Sequence, residues 1–273
     1  MDLFSVIILG LVQGLTEFLP VSSTGHLILF GNLLGSEDAN ALAFDAILHL
    51  ATVAAIIVYF YSEIWVLFQT FLRVLGRQPV DQKNVTLLKA LIIGTIPAVI
   101  FGLLLEKMME TVFRNPLLVA GVLVVGSGLF MFAEYRYLKK PPVPSTVMTV
   151  SMAIKIGFFQ TLALIPGMSR SGSAISGGMI LGLTRSESTR FAFLLGIPVL
   201  LGAGAKKLLD LLALNADISW PLVAVGAATA FIVGLFAIHF MIGFVRKHTL
   251  WPFVWYRIIL AGVVVAAIFF GSL

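Results

Sequence analysis

The chain has 273 residues, of which 59% are hydrophobic and only 11% are charged. Soluble domains average about 25% charged residues, so this chain has too few to cover the surface of a soluble globule. A disordered chain is also excluded, because disorder requires low hydrophobicity and high charge. The composition predicts an all-α polytopic membrane protein, with at most roughly ten crossings at about 20 residues per spanning helix.

Two further counts exclude whole classes of chemistry. The chain contains no cysteine, which excludes disulfides, thiolate catalysis and Cys-ligated metals. The formal net charge is +5, which in a membrane protein mostly reflects orientation and contact with membrane lipids, so nucleic acid is not expected as a partner. The start, Met1 to Phe4, lacks the basic segment of a signal peptide. A homodimer is left open.

Six segments are apolar for nearly the length that a bilayer demands. They run from Ala41 to Trp65, Leu87 to Leu105, Pro116 to Tyr135, Phe191 to Leu212, Trp220 to Phe244 and Trp251 to Phe270. Four other apolar pieces are too short to span: Leu3 to Val12, Leu27 to Leu34, Met152 to Ile165 and Ala174 to Leu183. Because pieces of 10–14 residues are typical of re-entrant segments, we predict two re-entrant hairpins.

The short pieces belong to an internal repeat. The segment from Gln13 to His26 resembles the segment from Gln160 to Ser173, and the pair Gly94 and Gly102 has a counterpart in Gly226 and Gly234. We therefore predict an inverted repeat of two halves, about 1–138 and about 150–273, each with a hairpin and about three transmembrane helices. A linker with several prolines, which a helix does not tolerate, joins them from Lys139 to Thr149.

The basic residues predict the orientation. With the N-terminus outside, the inner loops hold Arg73, Arg77, Lys83, Lys89, Arg136, Lys139, Lys140, Arg185, Arg190, Arg246 and Lys247, and the outer loops hold only Lys107, Arg114, Lys206 and Lys207. The positive-inside rule favours this arrangement, in which both termini are extracytoplasmic. Paired broken helices in an inverted repeat predict a site near the bilayer midplane, where the halves meet.

The first hairpin carries a cluster of polar residues. Gln13 and Glu17 are four residues apart and share one helix face. Pro20 ends that helix, and the helix from Gly25 to Leu34 follows. Three N-cap candidates precede it, and a histidine lies in its first turn: Ser22, Ser23, Thr24 and His26.

The second hairpin breaks at Pro166 and Gly167, and Ser169 and Ser171 offer caps for the helix that runs to Leu183. Two helix N-termini are therefore expected to point into the membrane interior, where free N–H groups and the positive end of the helix dipole favour an anion, phosphate above all. Arg170, between two serines, is suited to clamp two phosphate oxygens.

Structural alternatives stand beside these assignments. Glu17 can serve as a structural partner of Arg170 that bridges the hairpins, although an ionisable residue at membrane depth is functional by default. His26 can be a polar packing residue, and the serines can be caps alone. Asp45 and His49, also four apart, are interpreted as a polar edge that faces water or headgroups. Other groups, such as Arg257, are interpreted as helix-end residues without a role.

These motifs resemble those of the undecaprenyl-diphosphatase family, also known as the bacitracin-resistance protein family. The resemblance covers the whole chain and depends on two elements: (Glu/Gln)-x-x-x-Glu from Gln13 to Glu17, continued to His26, and Pro-Gly-x-Ser-Arg-Ser from Pro166 to Ser171. It implies an inner-membrane hydrolase, with its site open to the periplasm, that removes the terminal phosphate of undecaprenyl diphosphate. That reaction recycles the lipid carrier for peptidoglycan synthesis and lowers sensitivity to bacitracin.

The resemblance assigns roles by position. Glu17, His26 and Ser23 match the family's catalytic residues, and Ser169 and Arg170 match its phosphate-binding pair. Gln13 is the allowed variant at the first motif position and, with Glu17, is expected to hold a divalent cation, Mg²⁺ or Ca²⁺. The family's threonine beyond the second motif is replaced by Ala174, so Ser173 is a substitute candidate. The substrate-binding set is thus Arg170, Ser169, Ser171, Ser22, Thr24, Ser173 and Gln13.

The mechanism expected is hydrolysis of a phosphoanhydride. Ser23 attacks phosphorus with His26 as base; attack by His26 itself, or by a water that His26 activates, stays open. The rival function is a transporter of lipid phosphates or anions, because inverted repeats with broken helices are a transporter pattern. A carrier needs the anion site but no nucleophile, and the convergence of Glu, Ser, His and Arg favours the enzyme.

Overall fold

A computed structural model describes residues 2–35, 39–106, 108, 115–142, 148–213 and 219–270, and it leaves the side chains of residues 39–43 and 210–213 undescribed. Lys107 and Arg114, two of the four predicted outer basic residues, lie outside the described residues, as does part of the predicted linker. Within the described residues the secondary structure is helical, and no strand is present.

The helices follow the predicted segments closely. They are α1 (Leu3–Thr16), α2 (Ser23–Leu33), α3 (Ala39–Tyr59), α4 (Tyr61–Leu75), α5 (Gln82–Leu104), α6 (Pro116–Lys139), α7 (Val150–Thr161), α8 (Arg170–Ile180), α9 (Arg185–Ala213), α10 (Trp220–Val245) and α11 (Trp251–Phe269). A single 3₁₀ turn, Leu162–Leu164, extends α7. Within the described ranges, five helices are long and apolar enough to cross a membrane, namely α5, α6, α9, α10 and α11. The all-α membrane class is confirmed.

The predicted span from Ala41 to Trp65 is not one straight helix, although α3 and α4 taken together still form a candidate sixth span. The chain bends by 84° between the segment that ends at Tyr59 and α4, which begins at Tyr61. The bend is hidden from hydropathy because both segments are apolar. The second segment differs in being amphipathic: it exposes large aromatic side chains such as Trp65 and Phe68. An amphipathic helix of this kind is typical of a membrane interface.

Two short helix pairs form the hairpins, α1 with α2 and α7 with α8. The second helix of each pair begins at an equivalent position of the repeat, with Ser22 as N-cap of α2 and Ser169 as N-cap of α8. Both serines have positive φ angles, 78° and 74°. This uncommon backbone turns the chain sharply enough to aim both N-termini at the region between the hairpins.

Reciprocal packing joins the two halves. The first helix of each hairpin packs on a long helix of the other half, α1 on α10 and α7 on α5. Glycines permit both contacts: a Cβ added at Gly10 would lie 2.6 Å from the carbonyl oxygen of Gly226, and one added at Gly157 would overlap the carbonyl oxygen of Gly94. Small residues that let backbones touch are the usual means of helix association in membranes. Gly94 and Gly226 are the pair that the sequence repeat singles out.

The largest buried cluster lies around the inner end of the first hairpin. It includes Phe18, Ile56, Ile156, Ile175 and Phe193. Phe18 and Phe193 meet edge to face with ring centroids 5.4 Å apart. Phe18 follows Glu17 directly, so this contact fixes the turn that carries the acidic residue.

Candidate active site

Glu17 is the centre of the polar cluster. The residue is only 3% exposed, and its Oε1 accepts a hydrogen bond from Arg170 Nη2 at 2.6 Å. Its Oε2 accepts from Ser23 Oγ at 2.7 Å and from Gln13 Nε2 at 3.1 Å. The helical spacing that predicts a shared face for Gln13 and Glu17 is thus confirmed. The carboxylate joins the end of α1, the first residue of α2 and the first residue of α8.

Arg170 is held from a second side as well. Its Nη1 donates to the carbonyl oxygen of Ala192 on α9 at 3.0 Å, and Gly196 leaves the space in which the guanidinium lies, because a Cβ there would overlap Nη1. The remaining donor, Nε, is buried and has no hydrogen-bond partner among the described residues. The guanidinium is therefore fixed in place while one of its donors stays available to a ligand.

The capping serines bind backbone. Ser22 Oγ accepts from Gly25 N at 3.3 Å and from Gly167 N at 3.0 Å, so one hydroxyl ties the two hairpin turns together. Ser169 Oγ accepts from Gly172 N at 3.2 Å and lies 3.3 Å from Ser171 Oγ. The structure thus shows Ser22 and Ser169 in the capping role, and Ser22 also as a link between halves.

A cavity of about 280 Å³ opens beside this cluster. Of the predicted site residues it is lined by Glu17, Ser22, Ser23, Thr24, Ser169 and Arg170. Gln13, His26, Ser171 and Ser173 are not part of its lining, and Ser173 Oγ is buried without a partner among the described residues. The rest of the wall is mostly apolar, with Leu27, Ile28, Ala98, Val199 and Leu200. A charged headgroup and a hydrocarbon chain can therefore share this cavity.

His26 faces away from the cavity. Its Nδ1 lies 2.8 Å from the carbonyl oxygen of Ser22, and its Nε2 lies 2.7 Å from the hydroxyl of Tyr256, whose ring stacks on it. Because a carbonyl oxygen can only accept a hydrogen bond, Nδ1 carries a proton. In the neutral ring, Nε2 then accepts a hydrogen bond from the Tyr256 hydroxyl. In this structure His26 stabilises the turn that presents Ser23. Its role as base stays a prediction.

His49 is a site residue that the sequence analysis missed. Rather than facing water at a polar edge, its side chain lines the cavity, with Nε2 3.6 Å from Glu17 Oε2 and Nδ1 2.7 Å from the carbonyl oxygen of Asp45. Asp45 lines the same cavity. The four-residue spacing of Asp45 and His49 was the available signal, but nothing in the local sequence places that helix against Glu17.

Arg257 is the second missed residue. It is 0% exposed, and it donates to the carbonyl oxygens of Gly167 at 2.8 Å and Met168 at 3.2 Å, and more weakly to that of Pro20 at 3.4 Å. It also binds α6 through the Leu123 carbonyl oxygen and Ser127 Oγ. Among the described residues it has no ion pair. One guanidinium thus holds the breaks of both hairpins, which a motif search cannot find because its acceptors are carbonyls.

The side chains expected to bind a divalent cation, Glu17 and Gln13, suit a cation that a phosphate ligand also coordinates. The part of the chain that the structure describes contains no group of three His, Asp or Glu side chains that could hold a metal. Gln13 Oε1 is nevertheless a buried oxygen without a hydrogen-bond partner there, on the amide that contacts Glu17. Mg²⁺ is usually held by one or two carboxylates together with substrate phosphates. Glu17 provides the carboxylate of that donor set at the cavity, and Gln13, which is not part of the cavity lining, adds an amide oxygen rather than a second carboxylate.

Comparison with known proteins decides the family. Residues 6–263 match the family model described as "Bacitracin resistance protein BacA". The chain belongs to this family. The membership that the two motifs indicate is confirmed.

Relatives named undecaprenyl-diphosphatase match this chain over nearly their whole length. A protein of Trichlorobacter lovleyi named undecaprenyl-diphosphatase is 41% identical over 98% of this chain and 97% of its own length. A protein of the same name from Chloroherpeton thalassium is 37% identical over 100% of this chain and 99% of its own length. Undecaprenyl-diphosphatase 3 of Acinetobacter baylyi is 40% identical over 95% of both chains.

Proposed function

We propose that this chain is an undecaprenyl-diphosphatase, which hydrolyses undecaprenyl diphosphate to undecaprenyl phosphate and inorganic phosphate. The observation that carries the proposal is the joining of Ser23, Glu17 and Arg170 on one cavity whose remaining wall is mostly apolar. A nucleophile, a proton acceptor and a phosphate clamp are what removal of a terminal phosphate requires. The names of the full-length relatives support the same activity.

The diphosphate is proposed to bind where the two hairpins meet. Arg170 and the N-termini of α2 and α8 provide positive charge and N–H donors for phosphate oxygens. The prenyl chain lies along the apolar wall, which includes Leu27, Ile28 and Leu200. This division keeps the hydrocarbon in a lipid-like environment while the phosphoanhydride reaches the polar cluster.

Ser23 is the proposed nucleophile. Its hydroxyl already donates to Glu17 Oε2 at 2.7 Å, so the carboxylate is placed to accept the proton as Oγ bonds to the terminal phosphorus. The bond from that phosphorus to the bridging oxygen breaks, and prenyl monophosphate leaves. Water then attacks the phosphoserine, Glu17 returns its proton to the leaving Ser23 Oγ, and inorganic phosphate departs with the protons of the water, so that both the hydroxyl and the carboxylate are restored. Glu17 here takes the place first assigned to His26, because His26 is bound to Ser22 and Tyr256.

A divalent cation, Mg²⁺ or Ca²⁺, is proposed to bind together with the diphosphate. Glu17 and the Oε1 atom of Gln13 would hold it with phosphate oxygens. When bound, it would neutralise phosphate charge. Glu17 hydrogen-bonds Ser23 and Arg170 as well, so its position is set by the protein in either case.

The proposed location is the bacterial inner membrane, with the cavity open to the periplasm and both termini outside. Two groups of contacts at opposite ends of α9 support this arrangement. At its start, Arg185 Nε donates to Glu134 Oε1 at 2.9 Å, and Leu250 N donates to the same oxygen at 2.7 Å. About 30 Å further along the helix, Lys206 pairs with Glu106, and Lys207 lines the cavity.

The first group of contacts joins segments with many basic residues, which the positive-inside rule places on the cytoplasmic side. The second group lies at the end of α9 where basic residues are few, which supports a cavity on the outer side. The absence of cysteine from the sequence permits a direct test. A thiol introduced by Ser219→Cys should react with a membrane-impermeant maleimide in intact cells, and one introduced by Lys247→Cys should react only after lysis. The reverse pattern would contradict the topology.

The activity is tested by phosphate release from farnesyl or undecaprenyl diphosphate by the protein purified in detergent. Wild type should turn over, and Arg170→Ala should lose about a thousandfold or more in rate, as for arginines that stabilise transferred phosphoryl groups. Wild-type activity in that variant would contradict the clamp. Uptake of lipid phosphate into proteoliposomes without hydrolysis would instead establish a carrier. Expression in sensitive cells should raise bacitracin resistance.

A further inference from the structure

Gln160 combines deep burial with a complete lack of hydrogen bonds. The residue is 2% exposed and lines the cavity together with Glu17 and Arg170. Neither its Nε2 nor its Oε1 has a partner within the described part of the chain. A buried amide without partners costs free energy that an apolar residue of the same shape would avoid. We therefore expect a bound ligand to supply the missing hydrogen-bond partner of this amide at the cavity wall.

The internal repeat explains why this amide has no partner inside the protein. Gln160 occupies the position of the second hairpin that corresponds to Gln13 in the first. Gln13 donates its amide to Glu17, four residues later. The residue four positions after Gln160 is Leu164, which accepts nothing through its side chain. The second hairpin thus keeps the amide and replaces the carboxylate.

We propose that the Gln160 amide binds the diphosphate group of the substrate, with Nε2 donating to a phosphate oxygen. A second free donor lies on the same wall, since Arg170 Nε also lacks a partner among the described residues. The last side-chain torsion of glutamine is broad, so the amide can turn toward an entering phosphate at small cost. This inference rests on the proposed function for the identity of the ligand, but its chemistry requires only a diphosphate.

The test compares Gln160→Leu with wild type and with Ser176→Ala. Ser176 also has a buried hydroxyl without a partner in the described structure but does not line the cavity, so it controls for loss of an unpaired polar group. Steady-state kinetics with farnesyl diphosphate should show KM raised about tenfold to a hundredfold in Gln160→Leu, the range for a hydrogen bond to a charged group. We expect kcat to stay within about twofold, and Ser176→Ala to match wild type in both constants.

Thermal unfolding in detergent distinguishes a role of Gln160 in ligand binding from a purely structural role. The melting temperature of unliganded Gln160→Leu should equal or exceed that of wild type, because an unpaired amide is lost. Protection by inorganic diphosphate should require about tenfold or more higher concentration than in wild type. If the leucine variant does not fold, Gln160→Glu serves instead, with a larger loss of diphosphate binding from charge repulsion.

Two outcomes would overturn the inference: an unchanged KM and unchanged diphosphate protection in a folded variant, or a lowered melting temperature with unchanged protection. Failure of the proposed function is distinguishable. If wild type releases no phosphate but inorganic diphosphate protects it in a Gln160-dependent way, the hydrolase proposal fails and the assignment of Gln160 stands.

Discussion

Glu17 and Arg170, 153 positions apart in the sequence, meet at 2.6 Å between the two hairpins. Removal of one partner of a buried pair should cost about 3–5 kcal/mol of stability, whereas removal of both charges is often neutral. We expect Glu17→Gln and Arg170→Met each to lower the melting temperature, and the double variant to restore it. Phosphate release should stay abolished in all three. Activity in the double variant would show that the pair only bridges the hairpins.

Ser23→Ala is expected to abolish turnover while leaving the fold intact. Among the described residues its hydroxyl makes one hydrogen bond, to Glu17 Oε2, and that oxygen and its carboxylate keep Gln13 and Arg170 as donors without it. Stability should therefore change by about 1 kcal/mol, and phosphate release should fall by several orders of magnitude. Ser188→Ala, which removes a buried hydroxyl outside the cavity lining, is the matched control. Near-normal phosphate release by Ser23→Ala would leave attack by water or by His26 as the mechanism.

Arg257→Met is expected to destabilise the protein and to impair activity together. The change leaves the carbonyls of Gly167 and Met168 without this donor, and each buried unsatisfied group costs about 1–3 kcal/mol. Arg257→Lys should not rescue, because an ammonium cannot reproduce the planar fork. Arg190→Gln, which removes a more exposed pair with Glu63, should change the melting temperature little. An unaltered melting temperature for Arg257→Met would contradict the role of Arg257 in holding the breaks of the two hairpins together.

Gly157→Ala should lower stability because its Cβ would overlap the carbonyl oxygen of Gly94. Separation of the two backbones costs the close packing that joins α5 and α7, and overpacking of this kind typically costs about 1–3 kcal/mol. Gly243→Ala is the control, since a Cβ there meets nothing within 4 Å. Thermal unfolding in detergent measures both, and equal stability of the two variants would show that this contact is loose.

Chelation should reduce phosphate release strongly, and added Mg²⁺ or Ca²⁺ should restore it. Gln13→Glu should keep activity and lower the cation concentration that gives half-maximal rate, by about tenfold, because carboxylate charge strengthens binding of hard cations. A titration of rate against free cation for both proteins measures this shift. Full activity in the presence of chelator would remove the cation from the mechanism.

Local sequence patterns already indicated much of this protein. Low charge and long apolar segments predict the membrane class, and five of the six predicted spans are, within the described residues, single helices long and apolar enough to cross a membrane. The short apolar pieces end at Ser/Gly turns, and the structure places N-caps at Ser22 and Ser169. The four-residue spacing of Gln13 and Glu17 gives their contact. Each of these features depends on residues within one or two helical turns, so neighbouring sequence is sufficient.

The tertiary structure decided the rest. The approach of His49 to Glu17 and the turn of His26 toward Tyr256 both depend on helices that are distant in sequence. Arg257 shows the reason most clearly: its partners are mainly backbone carbonyls, which every residue has, so no side-chain pattern marks them. The sequence contains the residue types of the polar cluster, but the packing of the two halves against each other determines which of these residues meet.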